Sequence, residues 1–264
     1  MPVPRQYLFY GEANLLTGQI GGAAPVTIPE QAFQRLSIYG GDLTSPPTGF
    51  SKPGLVLIGN NSTTHVKGNP IAGGWQTVVT STANNVDIGG GMITADAIVA
   101  QITTDYPLVG NVPTVSFAGT TYTNLKINKV KVTPKLNLNV CTPKPPLGLP
   151  YIADPALLAF AAGEYHDIAN SGAPAGVAGQ FSNWSLLAVQ SRGKVDCSLV
   201  TGVDNYPGQS FGHVIIVPNL GNIYLAELSV GNHIELTMLH VDITAGAGAQ
   251  LRTVTVDTQG HGMP

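Results

Sequence analysis

The residues of this chain whose types and spacing could do chemistry are concentrated between His233 and Thr244, in the stretch HIELTMLHVDIT. His240 and Asp242 stand two positions apart, so on a strand they project the same way, roughly 7 Å from one another by the strand rise. His233 and Glu235 repeat that arrangement. Imidazole and carboxylate groups on one face could hold a metal ion, with these four residues as ligands, or act as an acid–base pair. The plain alternative is the wet face of an ordinary strand.

What positions these side chains is a change of phase. The polar residues are odd-numbered up to Thr237 and even-numbered from His240 onward. In an antiparallel sheet with one buried face, parity fixes which side is wet, and a one-residue bulge resets it. A bulge at Met238–Leu239 keeps Ile234, Leu236, Leu239, Val241 and Ile243 inward. It places His233, Glu235, Thr237, His240, Asp242 and Thr244 on one outer face. A strand crossing between two sheets would read the same way.

The stretch ends a predicted meander: GHVIIVP, a turn at NLG, NIYLAELSV, a turn at Gly231–Asn232, HIELTMLHVDIT, the loop AGAGA, and QLRTVTVDT. Connections this short make neighbouring strands antiparallel. Upstream, LVLIG, WQTVVTST and MITADAIVAQITT read as strands, with Gly89–Gly91 as a break. TNLKINKVKV reads as two alternating pairs whose phase slips at Asn128–Lys129, through a tight hairpin turn or a bulge, and KLNLNV (135–140) as a half-buried strand. A helix is predicted over 154–170, with Asp154 as N-cap, Pro155 at its first position and Asn170-Ser171-Gly172 as its stop. A shorter helix is expected over Ile28–Leu36, with Thr27 and Glu30 spaced as a capping box. SGAPAGVAG reads as flexible, and WSLLAVQ and KVDCSLVT as a hairpin turning at Ser191-Arg192-Gly193. The expectation is one mainly antiparallel β-sandwich over 1–264. It carries an insertion at 134–210 that holds a helix and a hairpin.

The chain has 264 residues, of which only 10% are charged, and a net charge of −3. Ordinary soluble domains carry roughly 25% charged residues. That balance excludes an electrostatic footprint for nucleic acid or an anionic membrane. Thr, Asn, Ser and Gln must wet the surface instead, which suits an extracellular or assembly-prone surface; an acid- or heat-adapted soluble protein is the other reading. Cys141 and Cys197 are the two cysteines. An even pair in such a chain fits one disulfide, closing a loop of roughly 55 residues worth about 4 kcal/mol; two unpaired buried thiols are the other reading. No apolar run reaches transmembrane length. The start, MPVPRQYLFYGEAN, lacks a signal-peptide core, so export implies a trimmed leader or an unconventional route.

Other motifs are weak. Gly208-Gln209-Ser210-Phe211-Gly212 matches the serine-hydrolase pattern, yet that chemistry needs a strand before the serine and a helix after it. Asn60 and Asn183 begin glycosylation sequons. The glycines of VDIGGGM and AGAGA lack a P-loop lysine, and the sequence calls for no cofactor. Trp75, Trp184 and nine tyrosines could form a sugar-binding platform, but read more simply as core aromatics.

Two blocks carry a resemblance: ITADAIVAQITT with FAGTTYTNLKINKVKV, and IIVPNLGNIYLAELSV with IELTMLHVDIT. Their order and spacing resemble the secreted actinobacterial proteins of the choice-of-anchor P family, through Ile93–Ala97, Leu125–Val132, Pro218–Leu225 and Met238–Val241. Asn128 is followed by Lys where that family has Gly, and residues from about 134 to 210 would be inserted. The resemblance covers about a third of the chain. It implies an exported β-sandwich and no activity. The expectation is thus a non-catalytic extracellular or cell-surface structural protein that self-associates as a homo-oligomer. The alternatives are an enzyme or metal-dependent binder using the His233/Glu235/His240/Asp242 face, and a module that binds polysaccharide.

Overall fold

The computed structural model describes residues 7–21, 25–146, 149–206, 208–244 and 248–260. The tip of the AGAGA loop (245–247) and the first six residues lie outside them. From the N-terminus, β1 (Gly11–Ile20), β2 (Val26–Gln31) and β3 (Gln34–Arg35) belong to a first sheet. The chain then builds a second sheet from β4 (Gly41–Thr44), β5 (Thr48–Lys52), β6 (Val56–Ile71), β7 (Gly74–Ile88), β8 (Ile93–Pro107), β9 (Thr114–Ser116), β10 (Thr121–Thr123), β11 (Lys126–Ile127) and β12 (Val130–Lys131). After β13 (Thr133–Leu136) come the helices α1 (Pro155–Asn170), α2 (Ala175–Phe181) and α3 (Leu186–Arg192). The chain returns through β14 (Lys194–Ser198), β15 (Val200–Asp204), β16 (Gln209–Phe211), β17 (Val214–Val217), β18 (Gly221–Gly231), β19 (His233–Ile243) and β20 (Ala249–Gln259).

The first sheet runs β16-β17-β18-β19-β20-β1-β2 and the second β12-β11-β8-β7-β6-β4, all pairs being antiparallel; β13 and β15 make a small third sheet. β1, β19 and β20 face β6, β7 and β8 across the sandwich. The inward positions form one apolar core, with Leu16, Val79, Ile98, Ile102, Leu239 and Leu251 fully enclosed. The all-β sandwich with a helical excursion is the fold the sequence led us to expect.

The phase change in β19 belongs to a line that crosses the first sheet. On β18 and β19 the pairs Leu225–Leu239 and Glu227–Thr237 flank Ala226 and Met238. On β20, Thr253–Leu239 and Thr255–Thr237 flank Val254. On β1, Asn14–Thr255 and Leu16–Thr253 flank Leu15. Each strand carries one out-of-step residue at the same level, so register is conserved while every strand changes face. Ala226 and Val254 take left-handed backbone there, with φ of 48° and 59°. Carbonyls at this line take partners from outside the ladder. Ser81 Oγ donates to the Asn14 carbonyl and Ser198 Oγ to that of Leu225, both over 2.8 Å. Tyr122 reaches across the sandwich to donate to the Met238 carbonyl. The second sheet changes face too, towards one end, with Asn85 (φ 50°) as its left-handed residue.

α1 begins as the sequence indicates: the Asp154 side chain accepts from the Ala156 amide at 3.3 Å, and Ser171 closes the helix. The hairpin expected around Ser191–Gly193 is instead α3. Ser185 caps it by accepting from the Ala188 amide, and Gly193 ends it in left-handed backbone (φ 65°). A cap at each end of a seven-residue run outweighed the apolar pattern that suggests a strand. SGAPAGVAG contributes most of α2 rather than a flexible link. The helix expected over Ile28–Leu36 is absent. Val26–Gln31 is the edge strand β2 on β1, a place where Pro29 is tolerated. KLNLNV forms a strand only as far as Leu136. Of the turn and the bulge expected at Asn128–Lys129, the structure has the tight turn, both residues standing at positive φ between β11 and β12.

Cys141 and Cys197 do not form the disulfide: both are buried, unpaired thiols. They pack as small apolar side chains in the main core. Burial pushes the Cys141 thiol up to about 12 and moves Cys197 upward as well. Neither readily supplies the thiolate that disulfide exchange requires.

Candidate functional site

β14 and β17 occupy successive stretches of the same side of β18, the first pairing with Glu227–Gly231 and the second with Gly221–Tyr224. They meet at the line where the sheet changes face, and α1 closes the junction with one carboxylate. Glu164 Oε2 accepts from the Ser198 amide at 2.9 Å, and Oε1 is hydrogen-bonded to His213 Nδ1. Both side chains are almost wholly buried. Ile168, Val177 and Phe181 then pack on Val214 and Tyr224, so the helices sit on the outer face of the first sheet.

A series of rings links the helices to β19. Tyr165 meets Phe181 edge-on at 5.1 Å, and Phe181 meets His213 at 5.6 Å. Tyr224 stacks on His240 at 4.9 Å. The Tyr224 hydroxyl donates to Gln180 Oε1 on α2 at 3.0 Å. Beside this wall lies a cleft of about 310 Å³. Its floor is the outer face of β14, β18, β19 and β20, including Asp196, Glu227, Ser229, Glu235, Thr237 and Arg252.

The four residues singled out in the sequence do share this outer face, but they do not converge. His233 pairs with Asp257 at 3.5 Å and meets the edge of Tyr10. Glu235 lines the cleft, paired with Arg252 at 2.9 Å. His240 and Asp242 are in contact, Nε2 to Oδ1 at 3.1 Å, while Nδ1 faces Glu227 Oε2 at 2.9 Å. The two carboxylates thus approach opposite nitrogens of one ring, and share no common point where an ion could sit. Among the described residues, no three His, Cys, Asp or Glu side chains are grouped to hold a metal.

The same geometry favours the imidazolium form of His240, since both ring N–H groups can then donate. Burial opposes the charge, but the hydrogen bonds to Asp242 and Glu227 outweigh it and raise the pKa to about 9. Asp242 is lowered, first by its bond to His240. The bond to Asp257 raises His233.

Sequence reasoning missed Glu164, Glu227 and His213. Glu227 follows Ala226, so the same parity change that exposes His240 also turns Glu227 outward. The slip between Leu225 and Leu228 was its only sequence signal. Nothing near Glu164 or His213 in the sequence announces their pairing across 49 residues. Ser210 of the hydrolase-like motif lies in β16, followed by a turn and β17, with no helix after it. Trp75 stacks on Tyr7 and Trp184 packs against the core, so neither offers an open platform.

A family model described as Domain of unknown function (DUF8256) matches residues 7–231. No curated protein matches, and no solved structure does.

Proposed function

The chain belongs to the family described as Domain of unknown function (DUF8256). We propose, from the geometry of the cleft, that it is a non-catalytic binding protein. The cleft between its helical excursion and the outer face of the first sheet is its recognition site. One observation carries this reading: the ionisable side chains of the cleft floor are committed to one another. Lys194 pairs with Asp196 at 3.1 Å, Arg252 with Glu235 at 2.9 Å, and Glu227 with His240 at 2.9 Å. Such a floor offers fixed donors and acceptors rather than a free base. Glu164 and His213 hold the β14–β17 junction together, which accounts for their pairing without catalysis. The cleft lies at the small end of ligand sites, which span roughly 300–1,000 Å³.

The test is a fragment screen on the intact, isotopically labelled chain. Binding is expected to shift the amides of Lys194, Ser229 and Thr237. Fragments that bind only elsewhere, or none that bind, would overturn the reading.

An extracellular or cell-surface setting fits the 10% charged composition and the resemblance to secreted β-sandwiches, although the unpaired thiols remove one support for it. A second reading, self-association, is favoured by the outer face of the second sheet. Its centre is formed by Thr63, Val78, Thr80, Thr82, Val99 and Gln101, without a charge among them. A second copy meeting this centre would face few like charges, since Lys67 and His65 beside it are already paired with Asp42. Light scattering on the eluting protein should show a concentration-dependent mass; a constant monomer mass would exclude this mode.

A further inference from the structure

We propose that the cleft takes a neutral polyhydroxyl ligand, a single sugar unit or the end of a saccharide chain. This rests on the cleft being a recognition site, and goes further by naming what it recognises. The argument starts from charge. Asp196, Glu227 and Glu235 are each already opposed by a cation, and Arg192 adds a second partner to Asp196 at 3.0 Å. An anionic ligand would have to displace a carboxylate from Lys194 or Arg252. A cationic one would have to displace Lys194, Arg252 or the His240 imidazolium. A zwitterion would have to break two pairs. Each exchange leaves one of these partly exposed charges without its partner, a modest cost of up to about fivefold in affinity per pair that a neutral ligand does not incur.

A hydroxyl group needs no such exchange. It donates to a spare carboxylate lone pair and accepts from a spare ammonium or guanidinium N–H of the same ion pair. Lys194–Asp196 and Glu235–Arg252 therefore each present an adjacent donor and acceptor, a spacing that suits neighbouring hydroxyls on a ring. Gln180 adds to this. Its Oε1 is occupied by the Tyr224 hydroxyl, which leaves the amide nitrogen with two N–H donors. Phe181 and Tyr165 form the apolar side of the cleft, against which the C–H face of a sugar ring can lie. The recognition elements are therefore one aromatic wall, paired charges on the floor and an amide at the rim.

The test titrates the intact chain with D-glucose, D-galactose and N-acetyl-D-glucosamine. Glucuronate, glucosamine and L-alanine serve as anionic, cationic and zwitterionic comparisons, and amide shifts are followed throughout. At least one neutral sugar is expected to move Lys194, Ser229 and Thr237 with millimolar affinity, and none of the charged probes to match it. Gln180→Ala should weaken binding about tenfold, with a modest fall in thermal stability because the buried Tyr224 hydroxyl loses its acceptor. Ser229→Leu should fill the floor and abolish the shifts. If alanine, glucuronate or glucosamine binds there more tightly than the sugars, the polyol assignment fails while the cleft remains a binding site. If no neutral sugar perturbs these amides although the fragment screen does, the assignment fails in the same way. If neither does, both readings fall together.

Discussion

The two outer faces of the sandwich solve the same problem differently. The face of the second sheet is wetted by short uncharged side chains, with His65, Lys67 and Asp42 paired at its rim. The face of the first sheet gathers Glu227, Glu235, Asp242, Asp257, Arg252, His233 and His240, in a chain with only 27 charged residues besides histidine. It is also the face that the helices partly cover, and the one whose change of phase places left-handed backbone on Ala226 and Val254. The second sheet makes its change at Asn85, a residue type that tolerates this conformation. Concentrated charge, backbone strain and a covering layer coincide on one side, and strain of this kind clusters at functional sites. The difference separates a surface built to be inert from one built to engage.

The sharpest break in that comparison is Glu164→Ala. It removes the group that joins the Ser198 amide to the His213 ring and leaves both without a buried partner. A loss of about 3–4 kcal/mol in denaturant unfolding is expected, with faster hydrogen exchange at Ser198. Asp42→Ala on the opposite face removes two exposed contacts and should leave the unfolding midpoint where it was. Equal effects would mean that the junction is not a keystone.

Second in size is a pH effect confined to the first sheet. The folded pKa of His240, about 9, stands above its ordinary 6.5. Its contribution is therefore fully present below about pH 6.5 and lost as pH rises through about 9, a change on the order of 2–3 kcal/mol. Unfolding free energies measured from pH 6 to 10 should fall accordingly, and His240→Gln should flatten the profile. A wild-type profile already flat across that window would show that His240 is not held as the imidazolium.

Much of this was legible in the sequence, for definite reasons. The parity of HIELTMLHVDIT gave the change of face, because a buried side chain every second residue leaves no other register. The 154–170 helix was legible from its own caps. The partners were not. Whether Glu227 or a metal answers His240 depends on the neighbouring strand, whose own out-of-step residue, Ala226, is marked only by the slip from Leu225 to Leu228. α3 is decided by its caps against an apolar pattern that suggests a strand, whereas at β2 the edge position on β1 overrides the capping-box spacing of Thr27 and Glu30. For the cysteine pair, compartment logic favours a disulfide, but the other reading holds: both thiols are filling in the core.

A third, smaller test concerns the carbonyls at the change of face. Tyr122→Phe removes the hydroxyl that donates to the Met238 carbonyl and should cost about 1–2 kcal/mol, since a buried acceptor loses its partner. Thr103→Ala, on the bare face of β8, should stay within about 0.5 kcal/mol. A cost for Tyr122→Phe no larger than that would mean the carbonyl is satisfied without it.

The smallest effect tests whether strain really differs between the sheets. Asn85 is exposed, so replacing it loses little packing, and Asn85→Ala should cost about 1 kcal/mol or less from left-handed backbone alone. Asn85→Gly should be close to neutral. Ala226 already bears that conformation while buried. In Ala226→Gly, relief of about 1 kcal/mol is offset by a lost buried methyl of about 0.8 kcal/mol and by glycine's larger unfolded-state entropy. It too should sit near zero, but for opposing reasons. The two glycine variants can be told apart by adding Ala226→Val, which should be strongly destabilising, against Asn85→Val, which should be milder at an open position. If the two valine variants cost the same, the strain is not specific to the sheet beneath the cleft, and the asymmetry between the faces reduces to charge and cover.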